Sequence, residues 1–179
     1  MRRGRDMGSH DKNMGLYPQS PRYVRGILKG EMGLMAKYFT EIQKIYEDYL
    51  EKTIQLNRNR KLGEGIFGSA GPKTDPCHGV FADTVKTTLD AAAREGISSA
   101  EAREILAYMF KTPVEQQKNQ LAYWMLLAVH GAALNLAERL DAPDAEPLLA
   151  LYLRLYPKYQ WLPVQNQLVG ILKAGQKNT

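Results

Sequence analysis

A chain of 179 residues, 44% of them hydrophobic, is long enough to bury a sizeable core as one domain and too apolar to be disordered throughout. Its single cysteine excludes an intrachain disulfide and fits a reducing, cytoplasmic location, and its basic start lacks the apolar segment and small-residue cleavage site of a secretory signal. The net charge of +5 is concentrated at the start: Arg2, Arg3, Arg5, Lys12, Arg22, Arg25 and Lys29 stand against Asp6 and Asp11, which leaves the remainder formally neutral.

Residues 1–30 mix Gly, Pro, Ser and charge without periodicity and read as a flexible, disordered basic arm; residues 31–179 read as a single helical domain. The stretch "MGSHDKNMG" within the arm resembles a cloning remnant.

The first helix is expected from Met32 to about Arg60. Met35, Tyr38, Ile42, Ile45 and Tyr49 recur at alternating three- and four-residue steps, with charge on the other faces. Such a seam faces either its own core or another subunit, so these five residues are the interface candidates. Gly63, Gly65 and Gly68 then have the spacing of a dinucleotide loop. A helix precedes them and more loop follows, which reads as a connector.

Asp75 and Pro76 have the chemistry of an N-cap and a first helical residue, and Val80, Phe81, Val85, Thr88, Leu89 and Ala92 continue a buried face to a stop at Gly96. Ser98 and Glu101 form a capping box for a helix through Phe110. Thr112, Pro113 and Glu115 repeat the signal and predict another helix to about Leu140. Its stretch Asn119–Ala137 is free of formal charge and reads as a central helix buried nearly all round, not as a membrane span. Asp144 is the expected cap of the next helix, through Leu148, Leu149, Tyr152, Leu155 and Tyr156 to Pro157. Pro163 opens the last one, with Gly175 as its stop. No segment alternates with period two. The fold class is all-α, a bundle of about five or six helices.

Chemistry has few places to sit. Cys77 and His78 fall in the first turn of a helix, where the dipole favours a thiolate. Adjacent helical residues diverge by about 100°, so the two do not form a thiol–imidazole pair. His130, on the charge-free run, must satisfy a buried imidazole; a tyrosine hydroxyl or a backbone carbonyl would suffice. Cys77, His78 and His130 are the ligand or metal candidates, but no H-x-x-x-H, C-x-x-C or E-x-x-H spacing supports them, and no cofactor is expected. Nucleic-acid candidates are Arg2, Arg3, Arg5, Arg22 and Arg25 of the arm with Arg58, Arg60 and Lys61. Tyr152, Tyr156, Tyr159 and Trp161 gather near one turn and suit either an interface or a core edge. No catalytic motif emerges. The expected function is a non-catalytic association module that binds itself or another protein. Alternatives are a nucleic-acid-associated regulator using the arm and a bundle holding a metal or small ligand near His130.

Overall fold

The computed structural model describes residues 37–58 and 77–176. The arm, Met35, Arg60, Lys61, the Gly63–Gly68 loop and the Asp75–Pro76 cap lie outside them. Among the described residues the fold is all-α, with seven α-helical segments and two 3-10 turns.

Helix α1, Lys37–Arg58, turns Tyr38, Ile42, Tyr46, Tyr49 and Thr53 inward. Thr53 tolerates burial because its hydroxyl donates to the Tyr49 carbonyl at 2.9 Å. Helix α2, His78–Glu95, lies beside it, and the Phe81 ring stacks on Tyr49 at 4.2 Å. Gly96 ends α2 with φ +71°, its N–H reaching the Ala92 and Ala93 carbonyls, as its position at the end of the apolar stripe predicts. Ser98 caps α3, Ser99–Glu115, by accepting the Glu101 N–H at 3.2 Å.

The structure departs from the sequence reading after this point. Helix α3 runs through Phe110 and carries Thr112 and Pro113 in its last turns, both buried. Thr112 does not cap a new helix, because its hydroxyl turns back to the Tyr108 carbonyl at 2.8 Å. The next start is Asn119, whose Oδ1 accepts the Ala122 N–H and opens α4, Gln120–Ala128. The charge-free run then tightens into a 3-10 turn, Val129–Ala133, before the single turn α5, Leu134–Ala137. It is central, packing on α2, α3 and the last helix. It is not buried all round: Trp124, Ala128, Gly131 and Asn135 face outward.

Helix α6, Ala142–Leu155, is capped at Asp141, not Asp144. Asp144 lies one turn inside and accepts from Arg103 of α3 at 2.8 Å, while the Asp141 N–H donates to Ser99 Oγ at 2.9 Å. Both bonds tie the start of α6 to α3. After a 3-10 turn, Tyr159–Trp161, comes α7, Pro163–Gly175. Gly175 is still helical; a Cβ there would meet the Ala145 Cβ at 3.3 Å, so its bare backbone lets α7 pass the start of α6 closely. The core joins all seven helices through Ile42, Val85, Ile105, Met125, Leu136, Leu148 and Leu168, among others. Each such side chain contributes about 1.5–3 kcal/mol on burial.

Candidate association groove

At the centre of the bundle four rings meet. His130, fully buried, sits edge-on to Phe110 at 5.2 Å and to Tyr156 at 5.4 Å, with Tyr152 at 5.9 Å. The Tyr156 hydroxyl donates to the Phe110 carbonyl at 2.6 Å. The His130 Nδ1 is 3.3 Å from the Tyr152 hydroxyl, and its Nε2 is buried without a hydrogen-bond partner of ordinary geometry among the described residues. Burial lowers the imidazole pKa to about 4, and the backbone carbonyl of Met109 partly opposes that shift. Met109 is the carbonyl that the N–H of residue 113 would claim in a regular helix. Pro113 has no N–H, so the α3 ladder leaves this acceptor to other donors. The Tyr152 hydroxyl thus serves His130, one of the two groups that would suffice for its burial. Burial also raises the Tyr152 and Tyr156 hydroxyl pKa values, so at neutral pH the cluster carries no charge.

Tyr156 has a second surface. With Tyr123, Trp124, Leu127, Leu155 and Gln165 it lines a groove of about 330 Å³ between α4 and the turn that joins α6 to α7. Trp124 is 58% exposed and packs its indole edge-on to Tyr123 at 5.2 Å. Gln165 lies at the floor, 3% exposed, and its Nε2 makes no hydrogen bond of ordinary geometry among the described residues. Its amide acts on the Tyr152 hydroxyl and so links the groove to the ring cluster.

A smaller cleft of about 250 Å³ runs between α1 and α2, lined by Ile45, Tyr49, Cys77 and Val80. Val80 is 69% exposed there. Asp48 and Lys52 share this cleft, so its wall is mixed in charge.

The residues singled out in the sequence scatter. Tyr38, Ile42 and Tyr49 lie in the chain's own core, with Ile45 half-buried at its edge. Cys77 is the N-cap position of α2, its carbonyl accepting the Phe81 N–H at 3.0 Å, and His78 is the first residue of that helix. His130 belongs to the ring cluster with Phe110, Tyr152 and Tyr156. Among the described residues no three His, Cys, Asp or Glu side chains come together as a metal site. Arg58 is the last residue of α1; Arg2, Arg3, Arg5, Arg22, Arg25, Arg60 and Lys61 lie outside the described residues. Tyr152 and Tyr156 are core residues, and Tyr159 packs half-buried against the core. No helix among the described residues is long and apolar enough to cross a membrane.

Trp124 and Gln165 belong to none of the motifs legible in the sequence, yet a signal existed. Trp124, Ala128, Gly131 and Asn135 recur at i, i+4, i+7 and i+11, and the small and polar members of that series mark the outward face of the charge-free run. No family model, curated protein or solved structure matches the chain.

Proposed function

We propose that the protein is a non-catalytic association module of the cytoplasm that receives a partner in the groove beside Trp124. The observation that carries this is an indole 58% exposed on the rim of a concave apolar surface. A scattered exposed leucine is ordinary on a protein surface. An exposed tryptophan beside an apolar groove is the chemistry of interface hot spots, where a few aromatic anchors carry most of the binding energy. The stripe on α1 supports the reading less, because Tyr38, Ile42 and Tyr49 are already in contact with the chain's own core.

The test places a photo-crosslinking benzoylphenylalanine at position 124 and, as a control, at the exposed Asn166 of α7. Irradiation in cells is expected to give a discrete adduct from position 124 and none from 166. Sedimentation velocity over a hundredfold concentration range then shows whether that adduct is a second copy. No adduct at 124, or equal smears at both positions, overturns the reading.

A further inference from the structure

Resting on the association reading, we infer that the groove takes an acidic amphipathic helix, which lays apolar side chains against Tyr123, Trp124 and Leu155 and sets carboxylates beside Arg154 and Lys158. Shape is the first argument. The groove lies between one helix and the end of another, and a third helix fills such a concavity with side chains at i, i+3 or i+4, and i+7.

Charge is the second. The stretches that build the groove, 116–137 and 148–176, hold Lys118, Arg154, Lys158 and Lys173 and no carboxylate. The nearest carboxylates along the chain, Glu115, Glu138 and Glu146, all fall outside them. Lys118, Arg154, Lys158 and Lys173 are exposed, and Lys158 lines the groove itself. This polarity is local, because α1 and α2 present Glu41, Glu47, Asp48, Glu51 and Asp83 to solvent. A cationic apolar groove attracts an anionic partner and repels a cationic one.

The same features exclude nearer occupants. The chain's own arm carries seven cations against two carboxylates within residues 1–30 and is repelled. A second copy offers α1, but Lys37, Lys44, Lys52 and Arg58 balance its four carboxylates and its apolar stripe is already buried. An anionic membrane would match the charge, yet a flat bilayer is met by protruding apolar side chains, and this surface is concave.

Fluorescence polarisation of the full chain tests the inference with two labelled peptides. One is an amphipathic helix with leucine and phenylalanine along one stripe and glutamate elsewhere; the other has lysine at every glutamate. The glutamate peptide is expected to bind at least tenfold tighter than the lysine peptide and to weaken about tenfold between low and high salt. Trp124→Ala and Lys158→Glu should each remove most of that binding, and Val80→Ser, in the other cleft, should leave it unchanged. All three positions are exposed, so circular dichroism is expected to show the fold intact.

Equal or tighter binding of the lysine peptide overturns the inference, as does no binding of either peptide. Binding of vesicles of phosphatidylcholine with phosphatidylserine that depends on Trp124, without binding of the glutamate peptide, overturns it in favour of a membrane. If the peptides fail while the crosslink at position 124 persists, the partner chemistry falls and the association reading stands. If both fail, both fall.

Discussion

His130 should make the stability of this protein depend on pH between about 4 and 6.5. Its imidazole is fully buried among Phe110, Tyr152 and Tyr156, and burial lowers its pKa from 6.5 to about 4. In that window the unfolded chain takes up a proton that the folded chain refuses, so acid favours unfolding. The contribution is fully present above pH 6.5 and is lost as pH falls toward 4. At roughly 1.4 kcal/mol per pKa unit, it amounts to about 2–3 kcal/mol between pH 7.5 and 4.5. Other groups titrate too, so the comparison is with His130→Gln, which keeps a polar side chain and does not titrate. Gln loses ring packing, but that loss is the same at every pH. Urea unfolding followed by circular dichroism at a series of pH values is expected to give curves that converge by about 2–3 kcal/mol as pH falls to about 4.5. Wild-type and variant curves that stay parallel would refute a neutral, desolvated imidazole.

Two tyrosines of similar burial should behave oppositely. Tyr156→Phe removes the 2.6 Å bond to the Phe110 carbonyl and should cost about 1–2 kcal/mol in urea unfolding. The Tyr46 hydroxyl is buried without a hydrogen-bond partner among the described residues, so Tyr46→Phe should be neutral or raise the unfolding midpoint. Gly96→Ala should cost about 1 kcal/mol although no atom lies within 4 Å of the added Cβ, because φ +71° is strained for an L side chain; an unchanged thermal midpoint would contradict this. Glu101 is buried, with Oε1 unpartnered, and burial with the nearby Glu104 raises its pKa. Its charge therefore opposes folding at neutral pH and the penalty fades once it is protonated. Glu101→Gln should raise the melting temperature at pH 7 and lose that advantage by about pH 3.

Local signals carried well from sequence to structure, and non-local ones did not. Ser98 with Glu101 and the glycine at 96 act within a turn of where they stand, so their chemistry was readable. Pro113 was ambiguous because a proline suits a first turn and is also tolerated near a helix end. What decided it was the Thr112 hydroxyl turning back to Tyr108 and the α3 core of Met109 and Phe110. Asp144 looked like a cap by composition, yet Arg103, 41 residues earlier, engages it. The apolar stripe on α1 was legible as a stripe, but periodicity does not say whether a stripe meets its own chain. The groove was hardest to foresee: α4 alone shows an apolar run, and only the turn after α6 turns its outward face into a concavity.

Pro113 and His130 are 17 residues apart, and the Met109 carbonyl that Pro113 leaves without its helical donor acts on the His130 imidazole. Burial dominates how weakly His130 holds a proton, and the carbonyl freed by the missing amide hydrogen partly offsets it. Genetically, this is a pair whose changes would not be independent. A chain that regained an N–H at 113 would withdraw the acceptor from position 130 and shift which side chains are tolerated there. Over evolutionary time the two sites should vary together although neither touches the groove surface.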